Sequence, residues 1–350
     1  MKIGLIHSSK SGMANMVSRQ FIEEIAEEEE EPPPDLLAEC DSDDTICAVQ
    51  RALAERHTVF SIESDEEAFS RLQTLHPDLV FNMAERLSGP NRESHIPVLC
   101  EYLNIPFTGS DPLTLGICLD KSRAKEILSY YGIPNPAFWI FDKGDALPSD
   151  LPLPLMVKPL YEGSSKGIKN NSLVRSRSEL QERVGEVIRR YRQPVIVERF
   201  LPGREFTVGI LGNPPELEVL PVVEIDHSQL PAGAAPIYSY EAKWIWDTTE
   251  KPLAIFQCPA DLDADLQGKI DTLIHRVVKI LRIRDWGRID LRLDEQGEPQ
   301  VIEINPLPGI LPNPDDNSCL PKAARAAGYS YNQLINRVVE IAAARYGLVS

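Results

Sequence analysis

Residues 288–293 (R-I-D-L-R-L) and 300–305 (Q-V-I-E-I-N) each alternate apolar with polar side chains, and D-E-Q-G-E stands between them. Period-two alternation is the pattern of a half-buried strand, and the intervening residues favour a turn, so the stretch is predicted to be an antiparallel hairpin. A pleated strand sends alternate side chains to the same face, which groups Arg288, Asp290 and Arg292 on the first strand and Glu303 and Asn305 on the second. If the two faces coincide, two carboxylates and an amide oxygen converge. Such hard oxygen ligands suit Mg2+ held against phosphate, with Arg288 beside them as a cationic donor. The solvated face of an ordinary hairpin carries the same letters, so the remainder of the chain has to decide.

The chain has 350 residues, room for two or three domains around a sizeable core. Its 36 Lys and Arg against 53 Asp and Glu leave a net charge of -17, which argues against a general nucleic-acid or anionic-membrane binder and requires any phosphate site to be local. Cys40, Cys47, Cys100, Cys118, Cys258 and Cys319 are scattered without a C-x-x-C pair, the usage expected of free, mostly buried thiols in a reducing cytosol. The opening M-K-I-G-L-I-H-S-S-K is too short in apolar residues for a signal peptide, and no stretch approaches the roughly 18 apolar residues of a membrane span. A cytoplasmic protein is expected.

Residues 2–7 read as a buried first strand and 13–27 as a helix ending in the acidic run Glu27–Glu31, followed by Pro32–Pro34. Prolines stop a helix and like charges resist packing, so 28–44 is expected to be an exposed surface insertion without function. The period then alternates through helix 44–56, strand 58–63, helix 65–75, strand 78–83, helix 92–103 and a short strand at 105–108. That alternation predicts an open parallel sheet whose ligands lie at the carboxyl ends of its strands, near Ser8, Ser9, Asn82, Glu85 and Arg86.

Residues 111–133 are expected to form a helical stretch carrying Lys121. A strand carrying Lys158 follows, then a loop with Gly163, Ser164, Ser165 and Gly167, small residues that let backbone N–H groups and hydroxyls approach a polyphosphate. The loop lacks the G-x-x-x-x-G-K-[ST] pattern, so it would act as a flap over phosphates. After helix 178–191, Glu198 closes a strand where its carboxylate or the neighbouring backbone could take an adenine amino group. Glu205 opens the next strand and could accept ribose hydroxyls. Met156, Phe200 and Leu293 are candidates to sandwich the ring, although each such residue is more often plain core. Residues 238–260 read as a long aromatic-rich loop able to close over a site, with Lys243 placed to neutralise a transferring phosphoryl group.

In order, L-D-K (Lys121), M-V-K-P-x-x-E-G-S-S-x-G (Lys158 to Gly167), V-E-R-F-L-x-G-x-E-F-T-V, Y-E-A-K (Lys243), F-Q-C-P-A, W-G-R-I-D and E-I-N-P-x-P-G resemble the D-alanine-D-alanine ligase family of the ATP-grasp superfamily, over residues 102–345. The resemblance implies a mixed α/β and α+β architecture: an N-terminal α/β domain at 1–115, a small central ATP-grasp lobe at 116–205 and a C-terminal lobe at 206–350. It implies that Lys121 and Lys158 meet the ATP phosphates, that Glu198 and Leu201 meet the adenine edge, and that Glu205 meets the ribose. Ser164 and Ser165 would form the phosphate flap, and Lys243 would contact the terminal phosphate. Asp290, Glu303 and Asn305 resemble the ligands of two Mg2+ ions, replaceable by Mn2+, and Arg288 with the Gly309 backbone resembles an oxyanion hole. The implied reaction joins a carboxylate to an amine through an acyl phosphate, with amino acids or short peptides as substrates. A homodimer is also implied.

Part of the family pattern is missing. The first loop reads H-S-S-K-S-G-M-A-N, with Met13 near the acid that holds the first D-alanine, and Trp244 stands where a loop tyrosine is expected; Ser164 alone remains of that triad. Asn82 to Pro97 replaces L-H-G-x-x-G-E-D, which leaves Glu85, Arg86, Arg92 and Glu93 as charged candidates for reading the substrates. Ser318 is expected to face the second substrate's carboxylate. ATP and metal use would then be retained with a donor other than D-alanine. A D-alanine-D-alanine ligase with a rewired first loop and an ATP-binding regulatory protein are the alternatives.

Overall fold

The structure, a computed structural model, describes residues 1–14, 33–87, 89–247 and 253–348. Among them the strands form three sheets. In the first, β1 (Lys2–His7) lies between β2 (Thr58–Glu63) and β3 (Leu79–Asn82) and is parallel to both. Helices cover both faces. Helix Asp43–Ala54 buries Ile46, Val49 and Leu53 against Ile3 and Leu5, while helices Ala68–Leu75 and His95–Leu103 close over Ile6 and Val80. A strand buried on both faces reads as a continuous apolar run, which is why K-I-G-L-I-H shows no alternation.

Four expectations need correction here. The strand at 105–108 shrinks to one parallel bridge, Phe107 to Val80; Pro106 offers its carbonyl to Val80 N–H at 2.8 Å but has no N–H to give. The stretch 111–133 is two helices, Pro112–Leu119 and Lys121–Tyr130, because Asp120 turns out of helical geometry with ψ 96° and caps the second with its carboxylate. Residues 28–32 of the expected surface insertion lie outside the described residues, but 33–42 run in turns against the body of the protein, with Asp35 and Cys40 buried. The carboxylates there find buried donors, which composition alone does not reveal. The loop expected at 238–260 carries a π-helical turn, Ala242–Trp246, and a short strand; its residues 248–252 lie outside the described residues. Residues 10–14 are helical, and the rest of helix 13–27 lies outside them too.

β4 (Phe138–Phe141), β5 (Leu155–Pro159), β6 (Leu173–Val174) and β7 (Val195–Arg199) form an antiparallel sheet in the order β4-β7-β5-β6, backed by helix Arg177–Tyr191. The third sheet contains β8 (Glu205–Leu211), β9 (Glu218–Val219), β10 (Val223–Ile225), β11 (Phe256–Gln257), β12 (Trp286–Leu293) and β13 (Pro299–Asn305). Here β12 is central, between β8 and β13, and helix Ala264–Leu281 packs beneath it. The predicted hairpin is present. Arg288 pairs with Asn305 and Asp290 with Glu303, and a bulge follows at Asp290/Leu291. Ile289, Leu291 and Val301 turn inward, which leaves the polar face open to the cleft.

Trp286, fully buried, meets Phe81 edge-on at 5.6 Å and joins the first sheet to the third. Beside it Asp285, also fully buried, accepts from Gly109 N–H at 2.8 Å, Asn213 Nδ2 at 2.9 Å, and Arg345 Nε and Nη2 at 2.9 and 2.7 Å. Asp285→Ala strands the Arg345 guanidinium and two donors, and is expected to cost about 3–5 kcal/mol. Urea unfolding should show the loss as a lower midpoint, and an unchanged midpoint would mean the hub is dispensable.

Candidate active site

The second and third sheets contribute strand residues to one cleft, and Met83 and Glu85, just beyond β3, border it. Lys158 on β5, Glu198 on β7 with Leu201 just beyond it, Glu205 on β8, Arg288 and Asp290 on β12, and Glu303 and Asn305 on β13 line it. So do Lys121, Ser164, Ser165, Lys243, Gly309, Ser318, Glu85 and Glu93. Arg86 is not part of the lining. Ser8, Ser9 and Asn82 are also elsewhere: Ser8 Oγ meets Ser64 Oγ at 2.7 Å, Ser9 Oγ donates to Glu63 at 2.7 Å, and Asn82 accepts from Ala84 N–H at 3.2 Å. Met156 and Phe200 reach the cleft; Leu293 does not, and Ile302 and Ile304 supply apolar wall instead.

On the third sheet Arg288 forks onto Asp290, Nε to Oδ1 and Nη2 to Oδ2, both at 2.9 Å. Thr207, opposite Asp290 on β8, donates to it at 2.6 Å, and Asn305 Nδ2 donates at 3.1 Å. Burial nonetheless raises the Asp290 carboxyl above its ordinary value, with Arg288 opposing and facing Glu303 adding to the effect. Glu303 moves the other way. Burial alone would raise it, but Lys121 and Lys158 outweigh that and lower it. Lys121 Nζ lies 3.0 Å from Glu303 Oε1 and also donates to the Glu162 carbonyl.

The donors fit a divalent ion in kind: two carboxylates opposed across a hairpin, and an amide. Among the described residues no three His, Cys, Asp or Glu side chains converge, so remaining ligands would have to come from phosphate or water oxygens. Arg288 must lift off Asp290 before an ion can share that carboxylate.

The cleft wall around Glu198 and Glu205 is richer in charge than the sequence alone implies. The Glu198 carboxylate sits between Lys158 Nζ at 2.8 Å and Lys125 Nζ at 3.1 Å, so its side chain is committed to two ammonium groups. Burial opposes ionisation there, yet Lys125 and Lys158 hold the carboxyl down at about 2. Glu205 accepts from Arg292 at 2.7 Å and His227 at 2.9 Å, which against the effect of burial hold it at about 2 as well. Lys125 was missed, although it stands four residues after Lys121 on one helix face, a legible spacing. Glu39 and Lys166 were missed as well. Glu39 carries no such signal, since it sits in an acidic, proline-rich stretch that reads as surface.

In the loop after β5, Ser164 and Ser165 adopt φ 49° and 61°, left-handed values unusual for residues with a Cβ. Ser165 Oγ donates to Tyr238 O at 2.9 Å and Trp244 Nε1 donates to Ser164 O at 3.2 Å. Trp244 therefore ties the turn Ala242–Trp246 to the Ser164–Ser165 loop through a backbone carbonyl. Lys243 lines the cleft beside it, its ammonium disfavoured by burial and by Arg288. Ser318 Oγ accepts from Leu311 N–H at 3.2 Å and donates to Gly309 O at 3.3 Å, so it staples the loop after Asn305. All six cysteines are free: Cys40, Cys100 and Cys118 buried, Cys258 and Cys319 half-buried, Cys47 exposed.

Residues 127–340 match the family described as D-ala D-ala ligase C-terminus. The chain belongs to the D-alanine-D-alanine ligase family. This ligase is 34% identical to protein y4sG of Sinorhizobium fredii over 87% of its own length and 88% of that protein's. It is 34% identical to the D-alanine-D-alanine ligase of Glaesserella parasuis over 82% of its length and 88% of the relative's. Among solved structures it resembles the D-alanine-D-alanine ligase of Bacillus anthracis, TM-score 0.71 at 25% identity, with 99% of each chain covered. The same enzyme complexed with ATP gives a TM-score of 0.68 at 23% identity, again over 99% of each chain, a likeness of fold. The ATP-grasp architecture and the ligase class follow. No helix among the described residues is long and apolar enough to cross a membrane.

Asp41 borders the cleft and accepts from Ser8 N–H at 3.2 Å. Burial, with Glu63 adding and the Ser8 hydrogen bond opposing, pushes its carboxyl up to about 8. In the unfolded chain it ionises near about pH 4, so the native state holds this group's full contribution below that and loses it as pH rises toward about 8. Asp41→Asn should melt with wild type at the acid end and above it under alkaline conditions. Parallel Tm curves across that range would contradict a neutral native Asp41.

Proposed function

We propose that this ligase joins a carboxylate to an amine through an acyl phosphate, consuming ATP and releasing ADP and phosphate, with a donor other than D-alanine. A carboxylate oxygen is a poor leaving group; its transfer as phosphate makes the carbonyl attackable by an amine. The observation that carries the reading is the convergence of Arg288, Asp290, Glu303 and Asn305 on one cleft wall, with Lys121 on Glu303 and the Ser164–Ser165 flap lining the same cleft. Lys121, Lys158 and Lys243 offset the negative charge of the phosphates, and Arg288 with Gly309 N–H receives the oxyanion of the tetrahedral intermediate. Asp290, Glu303 and Asn305 would hold Mg2+ or Mn2+, which supplies charge neutralisation to the phosphate oxygens. The flap and the segment around Lys243 shield the acyl phosphate from water.

The altered donor rests on the first loop. Met13, near the position where the family pattern has an acid, is fully buried and does not line the cleft, so the described residues of the first loop, 8–14, bring no carboxylate to it for a D-alanine ammonium. The second reading, D-alanine-D-alanine ligation itself, is favoured by the relatives' names and by Trp244, which still reaches the flap at Ser164. The three-part division at 1–115, 116–205 and 206–350, a cytoplasmic location, small-molecule partners and a homodimer belong to the same proposal.

Phosphate release from ATP and Mg2+ should be measured against paired D- and L-amino acids, dipeptides and hydroxy acids, with mass spectrometry of each product. A D-Ala-D-Ala product would establish the second reading, and any other amide would name the substrates. Asp290→Asn is expected to lower turnover about a thousandfold with the fold intact. A variant that keeps wild-type turnover would remove Asp290 from the reaction.

A further inference from the structure

We propose that Asp35–Asp41 is a strap, anchored on the N-terminal sheet, that sets the conformation of the phosphate flap, with Glu39 as the positioning residue. This rests on the flap being the phosphate cradle. The flap is clamped at both ends: Glu39 Oε1 accepts from Gly163 N–H at 2.6 Å, and Asp35 Oδ2 accepts from Gly167 N–H at 2.9 Å. Tyr191 OH donates to the same Asp35 oxygen at 2.6 Å. Glu39 also accepts from Arg92 at 2.7 Å and Lys166 at 3.1 Å, and Lys166 in turn meets Glu162 at 2.6 Å. Two cations face two carboxylates, and the side chains of Glu39, Arg92 and Lys166 are 5%, 1% and 2% exposed. A buried charge set of this kind is costly to break at one member. Against the effect of burial, Arg92 and Lys166 hold the Glu39 carboxyl at about 2, so it stays ionised.

Between the clamped glycines stand Ser164 and Ser165, both left-handed. Such backbone is unfavourable for a residue with a Cβ and persists only where its surroundings impose it. Their N–H groups donate to none of the described residues. Successive N–H groups in this backbone form a concavity suited to anions. The glycine amides are thus occupied by the strap, and the serine amides between them are left for a ligand. The strap's own anchor is the end of β1, where Asp41 N–H donates to Ser8 O at 2.8 Å and Lys10 N–H to Asp41 O at 3.0 Å. The N-terminal layer therefore governs ATP affinity through residues that need not touch the nucleotide.

Glu39→Gln retains the acceptor for Gly163 but removes the charge. In the full-length ligase it should raise KM for ATP about tenfold while kcat moves much less, and should speed amide exchange across 163–167 before ATP is added. Asp35→Asn tests the other clamp by the same measurements and serves where Glu39→Gln does not fold. A variant with a lowered Tm but wild-type KM and flap exchange overturns the strap, since only a general structural role would remain. Wild-type exchange with and without ATP·Mg2+ separates the two claims. Faster exchange in the variant of a flap that ATP never protects upholds the strap and overturns the cradle; ATP protection with no effect in either variant does the reverse.

Discussion

The register of one hairpin underlies the chemistry. Asp290 faces Glu303 and Arg288 faces Asn305 only because β12 and β13 pair as they do, and a slip of one residue would send all four side chains into the core. Burial of Ile289, Leu291 and Val301 beneath the sheet holds that register, since those residues would be expelled by the same slip. The bulge after Asp290 releases the register once the site residues are placed. Apolar packing on one face thus positions charge on the other.

Charge in the cleft is arranged in neutralising sets. Glu198 lies between two lysines, Glu205 between Arg292 and His227, and Glu39 between Arg92 and Lys166. Each carboxyl is held at about 2 although burial opposes its ionisation, which makes the partners the deciding influence. Asp290 differs from these three: although gripped by Arg288, its carboxyl is raised by burial and by facing Glu303. The lysines and arginines of the cleft are thus matched locally by carboxylates, within a chain whose overall balance is acidic.

The parallel sheet, the hairpin and the glycine-serine loop were legible because each has a local period or composition: an apolar run, strict alternation, and a Gly-Ser cluster. The family pattern extended this to a site list of which nearly every member lines the cleft. Reading failed where the deciding partner is remote in the chain. Asp120 breaks a helix to cap the next one, a choice that propensity did not mark. For Glu198 the sequence left open whether the carboxylate or the neighbouring backbone faces a ligand, and only the structure shows Lys125 and Lys158 holding the carboxylate. The segment after Pro32 looked like solvent-exposed surface, although Asp35 and Glu39 bond to Gly167 and Gly163 more than 120 residues away.

What the sequence determined by itself is therefore the set of elements and the class of chemistry, since strand period, turn composition and motif order are properties of neighbouring residues. What only the tertiary structure decided is how each charge is used. Whether a buried carboxylate binds a ligand, locks a lysine or clamps a loop depends on which distant donor reaches it, and in a low-dielectric interior that partner sets both its protonation and its role.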